Sequence, residues 1–404
     1  MGDEVKKSKI LPVLIACGIA LIVIAVIASL VSTKEKTPEQ VFEGTVHSYL
    51  NMASEYDVSK HKAVKLDLDA DVNIKAIAGS PYEKLANDIK LTVGAKANET
   101  QVEIDVDAKK TDEDLLSAKG LVDTEKKVLT LSMDELYSKS INFNEVLRDE
   151  QFESIKEALS EINKEVPKER IQILENAINE YIIKEEYCTS SKGTVNVDGA
   201  DKNVTINTYT ISAKDLTNNV KEMVKSLKEN EAFLATFSEE DKKEIVSSFD
   251  KVLETVESSE DENGVIVVNY CVNGSSFVKA ELIAKENDKE EAKVEISKLG
   301  QNTYDIKCTA DETVVSVKVT LEKESDVKGT ATVELNSDEI GSGKLVVGYE
   351  FSGDNAIDSK LTGESVNYTE LTSAESQEIG KNLLNSKIYK LISNLSSYGA
   401  EEEE

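Results

Sequence analysis

The sequence predicts an α+β protein: an N-terminal transmembrane helix followed by a large curved antiparallel β-sheet covered by amphipathic helices. Three observations carry this. Residues 10–31 form an uncharged apolar run of 22 residues. Beyond it, long stretches alternate apolar and polar residues, the period of strands with one buried face. Between and after those stretches, apolar residues recur at three- and four-residue spacing behind capping residues, the mark of amphipathic helices.

The apolar run comes first. At 1.5 Å per residue, 10–31 extends about 33 Å as a helix, enough for a hydrocarbon core of about 30 Å. Leu14-Ile15-Ala16-Cys17 matches a lipoprotein signal, but the apolar run continues well past Cys17, so Cys17 reads as a residue inside the span. Val26 and Ala28 fit a secretory cut site, but the run is long for a signal peptide and lacks a polar cleavage region. The reading is an uncleaved signal anchor. Lys6, Lys7 and Lys9 precede it, and Lys34 and Lys36 follow it. That bias sets residues 1–9 as a cytoplasmic head, 32–36 as a linker and the bulk of the chain as extracytoplasmic.

Thr37-Pro38-Glu39-Gln40 then opens a helix to about Tyr56, with Thr37 as cap and Pro38 in its first turn. Val64, Leu66, Leu68, Ala70, Val72 and Ile74 alternate with Lys65, Asp67, Asp69, Asp71, Asn73 and Lys75, a half-buried strand. Stripes at 89–95, 102–108, 116–122 and 128–131 follow through short polar links, so consecutive hairpins are expected. Helices are predicted at about 149–164 and 168–184, separated by Pro167. Asp198-Gly199 turns a hairpin. A slip of the apolar phase between Ile206 and Tyr209 suggests a bulge. Ser212 and Ser238 cap two more helices. A second strand series runs from Gly264 to about Tyr368, with Gly341-Ser342-Gly343 read as a hairpin turn. A helix at about 374–395 and an acidic tail, 399–404, close the chain. Residues 37–398 form the extracytoplasmic domain, either one continuous sheet or two halves, 37–212 and 213–398.

The chain has a net charge of −30. Residues 1–31 hold three Lys against one Asp and one Glu, so the exported part carries −31. Phosphate binding needs clustered Lys and Arg, so nucleic acid is excluded as a partner. Trp is absent and Pro is rare, while Lys, Glu, Asn and Ile abound.

Few residues signal chemistry. Asp67-x-Asp69-x-Asp71-x-Asn73 resembles the start of a calcium loop, but Val72 and Ala78 stand where the loop needs Gly and Glu. The reading is a solvated strand face. The two histidines, His47 and His61, make no metal set with the sparse cysteines, and no nucleophile motif appears. No catalytic residue, metal site or cofactor is expected. Cys188, Cys271 and Cys308 are too few for a disulfide scaffold. Cys271 and Cys308 both lie in strand-like runs, so a disulfide between them is open if those strands are neighbours; buried thiols are the other reading.

The Lys-flanked span 10–31, the segment TVNVDGADKNVTINTYTISAKDL and the closing VNYTELTSAESQEIGKNLLN resemble uncharacterised single-span exported proteins of low-GC Gram-positive bacteria. The expected architecture is also similar, remotely, to lipoprotein-carrier half-barrels. That likeness implies an apolar ligand held between sheet and helices. The expectation is therefore a membrane-anchored, extracytoplasmic, non-enzymatic binding module. Its pocket is expected to be apolar and lined by residues such as Leu66, Leu68, Leu91 and Phe249. Its partners would be the membrane through 10–31 and an apolar ligand or a cell-envelope protein. Two alternatives stand beside it: a surface scaffold or protein-interaction domain with a packed core, and an enzyme with an unsignalled carboxylate site.

Overall fold

The structure, a computed structural model, describes residues 37–54, 62–74, 89–110, 113–144, 147–160, 166–257, 264–310, 313–325, 327–337, 341–354, 357, 361, 364–390 and 393. The expected span at 10–31 and the acidic tail lie outside the described residues. No described helix is long and apolar enough to cross a membrane.

In chain order the elements are α1 (Pro38–Ser54), β1 (Ala63–Ile74), β2 (Ile89–Asn98), β3 (Gln101–Lys110), β4 (Glu113–Asp123), β5 (Val128–Ser132), β6 (Ser140–Phe143), α2 (Asp149–Ser160) and α3 (Lys168–Tyr181). Then come β7 (Cys188–Val197), β8 (Ala200–Ser212), α4 (Ala213–Glu229), the one-turn α5 (Glu231–Leu234), α6 (Glu239–Glu257), β9 (Gly264–Asn273) and β10 (Ser276–Glu286). The last are β11 (Lys289–Lys298), β12 (Thr303–Ala310), β13 (Thr313–Ser325), β14 (Lys328–Ser337), β15 (Gly341–Ser352), β16 (Ser365–Asn367) and α7 (Ser373–Asn385).

The fold class is α+β, with a 16-stranded, mostly antiparallel sheet in the order β16-β6-β5-β4-β3-β2-β1-β15-β14-β13-β12-β11-β10-β9-β8-β7. The β16–β6 pair is parallel, so the sheet is mixed rather than purely antiparallel. Consecutive hairpins account for β2 to β6 and for β9 to β12. β1 departs from that pattern, because β15 from the far end of the chain pairs along its whole length, Ala63 opposite Ser352 and Ile74 opposite Gly341.

Local chemistry places the helices. Thr37 Oγ1 accepts from the Gln40 amide at 3.3 Å, and Gln40 Oε1 accepts from the Thr37 amide at 3.0 Å, closing a reciprocal cap on α1. Ser212 caps α4 through the Asp215 amide, and Ser238 caps α6 through the Asp241 amide. Thr372 and Glu375 form a full capping box on α7. Asp198 (φ 52°) and Gly199 (φ 75°) take the paired left-handed conformations of a type I′ turn between β7 and β8.

The molecule divides into two compact units: residues 1–56 with 165–317, and residues 57–164 with 318–404. They interleave along the chain and do not divide it at residue 212. In the first unit, one sheet face buries Tyr209, Ile211, Tyr270, Leu282, Val294, Ile296 and Ile306. α1 and α4 pack against strands at the β7–β9 end of this sheet. Phe42 of α1 lies 5.8 Å from the Tyr209 ring, whose hydroxyl donates to the Ile182 carbonyl. Ala177, Leu227 and Phe233 join the helices into a second cluster, with Phe249 stacked 6.2 Å from Phe233.

Two sequence expectations change here. β8 has no bulge between 206 and 209; its pairing with β7 and β9 is unbroken there. The apolar phase slips because β8 buries both faces in turn. Val204 and Ile206 pack with Val197, Cys271 and Val278 on one side, whereas Tyr209 and Ile211 point the other way. Residues 341–343 are not a turn but the first residues of β15, paired to β1 and β14.

Candidate functional site

The second unit carries the feature that best marks a site. Its strands keep the alternation of the sequence, so register alone decides which side chains share a face. From β14 to β6 one row reads Gly329, Tyr349, Leu66, Ala95, Ile104, Gly120, Leu131, Ile141. The next row reads Ala331, Val347, Leu68, Val93, Val106, Ala118. Rows through Val64 and through Ala70 are apolar in the same way. Four rows across up to eight strands give an apolar face of about 20 Å by 34 Å with no charged side chain in it.

This face is half-buried, and four of its large side chains are open. Leu66 is 42% exposed, Ile104 43%, Leu131 40% and Leu91 36%, although all four stand within the sheet. α7 buries no residue, and its Leu383 and Leu384 are exposed. It is held by Asn382 Nδ2 donating to the Leu136 carbonyl at 2.9 Å and by Tyr137 donating to Glu375 Oε1 at 2.6 Å. Two glycines shape the face. A Cβ on Gly120 would reach Leu131 at 3.4 Å, and one on Gly329 would meet the Tyr349 hydroxyl at 2.6 Å, because that ring folds over Gly329. An exposed apolar patch beyond a few hundred Å² on a sheet marks a surface that takes up something else.

The opposite face of the same strands is polar. Asp67, Asp69 and Asp71 are exposed on it, as a solvated strand face requires. Lys96 Nζ meets Glu103 Oε1 at 2.8 Å, and Glu103 is buried. Among the described residues, no group of three or more His, Cys, Asp or Glu has a geometry that would hold a metal ion.

The first unit offers a cleft of another kind, of about 530 Å³, lined by polar residues including Asn196, Asp198, Lys279, Glu295, Asp305 and Lys307. Its wall is a charge lattice. Glu281 of β10 stands directly opposite Glu295 of β11, a like-charge pair that destabilises a sheet when unrelieved. Lys279 contacts both carboxylates, and Lys293 contacts both at 3.2 and 3.3 Å. Burial alone would raise the Glu281 carboxyl. The bonds from Lys279 and Asn269 and the charge of Lys293 outweigh it and hold the group at about 2. These four charges satisfy one another, so the lattice braces the sheet. Sequence reading missed it, although the repeated Lys-x-Glu of 279–281 and 293–295 on two strands of one hairpin was the available signal.

The expected pocket residues do not share one cavity wall. Leu66, Leu68 and Leu91 lie on the apolar face of the second unit, while Phe249 packs in the helical cluster of the first. The Cys271–Cys308 disulfide is corrected: both thiols are free. Cys271 is on β9 and Cys308 on β12, with β10 and β11 between them. Three strand spacings are about 14 Å, twice the reach of a disulfide. Cys271 is instead a buried core thiol, pushed up to about 11 by burial. Compared with family models, with curated proteins and with solved structures, the chain finds no match.

Proposed function

We propose that this chain is a membrane-anchored, extracytoplasmic, non-enzymatic binding module that takes an apolar ligand of the acyl-chain class onto the open sheet face of its second unit. One observation carries the reading: an uncharged apolar face spanning up to eight strands, with Leu66, Leu91, Ile104 and Leu131 left 36–43% exposed. Burying a methylene contributes about 0.8 kcal/mol, so roughly ten methylenes laid on this face offer about 8 kcal/mol before the cost of immobilisation. An anchor at 10–31 would keep the face beside a bilayer, where such chains are found.

The test is photo-crosslinking of the full chain in its own membranes with a diazirine-bearing fatty acid, followed by peptide mapping. Adducts concentrated on β1, β3 and β5 support the reading. Adducts confined to residues 10–31 refute it.

A further inference from the structure

The sheet ends at β7, and we propose that this edge pairs antiparallel with β7 of a second copy of the chain. β7 pairs with β8 over all ten residues, from Cys188 opposite Tyr209 to Val197 opposite Ala200, without a register shift. Its polar side chains bond across to β8: Ser190 Oγ donates to Asn207 Oδ1, Thr194 Oγ1 to Asn203 Oδ1, and Asn196 Nδ2 to Asp201 Oδ1. On an antiparallel edge every second N–H and C=O points away from the sheet. Among the described residues, the backbone of Thr189–Val195 makes no hydrogen bond besides those to β8.

Sheets that must avoid self-pairing protect such an edge with proline, bulges or repeated charges. The strand CTSSKGTVNV has no proline and a single charge, Lys192, and Thr189 to Lys192 are exposed. Charge also selects the partner. The hairpin 188–212 balances Lys192 and Lys202 against Asp198 and Asp201, so it is neutral in a chain of −30. Two copies can approach through this neutral edge, whereas most of their surface repels. A two-fold axis through Gly193 sets Gly193 opposite itself and Lys192 opposite Thr194, with no lysine facing lysine. The far edge of the sheet, β16, has only three residues, Ser365–Asn367. Among the described strands β7 is the one long edge, so pairing closes as a dimer and does not run on into a filament.

The test is native mass spectrometry of the full chain released from micelles, at several concentrations. The wild type is expected to be a dimer that tightens at least threefold as salt rises, because the repulsion between two acidic bodies is screened. Lys192→Glu with Thr194→Glu sets like charges opposite each other and is expected to weaken the dimer at least tenfold. Exchange of the β10–β11 amides should stay unchanged and report an intact fold. A second experiment mixes a Lys192→Cys chain with a Thr194→Cys chain and looks for the mixed disulfide, which the register requires. A monomer at every concentration, a dimer indifferent to the two glutamates, or failure of the mixed disulfide overturns the proposal. If the glutamate variant does not fold, the mixed disulfide alone decides.

Discussion

Replacing Lys279 by methionine isolates the charge lattice, because methionine keeps the apolar stem and removes only the charge. Lys279 is 13% exposed and touches Glu281 and Glu295, themselves 18% and 23% exposed and directly opposed across β10 and β11. Without it, two facing carboxylates share Lys293 alone. Breaking a buried pair on one side costs about 3–5 kcal/mol, and the residual exposure here reduces that to about 3. The Glu281 shift gives a similar scale: from an ordinary 4.5 to about 2 is roughly 3 kcal/mol. The sign follows from a carboxyl lowered in the folded state. Its stabilisation is present above about pH 4.5 and is lost as pH falls toward 2. Hydrogen exchange of the β10–β11 amides in the full chain reads this locally. At pH 7 Lys279→Met should speed that exchange by about 100-fold, and the gap from wild type should narrow below pH 4. Adding Glu281→Gln should restore most of the loss, since the like-charge pair is then gone. A change under threefold at pH 7, or an equal gap at pH 3 and pH 7, would refute the reasoning.

Three further outcomes are expected. Phe233→Ala opens a cavity among Ala177, Leu227, Phe237 and Phe249 and should destabilise the helical cluster of the first unit by about 3–5 kcal/mol, read as lost amide protection in α3 and α4. Gly329→Ala drives a methyl into the Tyr349 hydroxyl at 2.6 Å and the Glu322 carbonyl at 2.8 Å, so a loss of about 1–3 kcal/mol is expected. Tyr349→Phe should recover only part of it, because the carbonyl remains. Under native conditions iodoacetamide should modify the exposed Cys308 and leave the buried Cys271 untouched until the chain is denatured; mass spectrometry of the labelled peptides checks both.

The local parts of this fold were legible because they rest on local chemistry. The Thr37, Ser212 and Ser238 caps fix helix starts within the chain, and the alternation from Val64 to Ala70 fixes which side chains face together. What alternation cannot carry is which strand lies beside which. β1 and β15 are nearly 280 residues apart, and nothing in either names the other. The same limit left the Cys271–Cys308 pairing open, since YCVNG and YDIKCTAD look like neighbours until β10 and β11 are counted between them. The bulge at 206–209 failed for another reason: a strand that buries both faces in succession mimics a slip of phase. The apolar face was visible residue by residue, yet exposure is a property of what covers a stripe. Leu66 reads as the lining of an enclosed pocket in the sequence and is 42% exposed in the fold.

The claim that this face binds an apolar chain is tested most directly by placing charge within it. Leu66 and Ile104 are 42% and 43% exposed, so Leu66→Asp with Ile104→Asp should leave the fold intact. Binding of a polarity-sensitive fluorescent fatty acid to the full chain in nanodiscs is the measurement. The account predicts saturable binding by the wild type and at least a tenfold loss in the double variant, with exchange of the β2 and β4 amides of the same unit unchanged. Equal affinity in both proteins would contradict it.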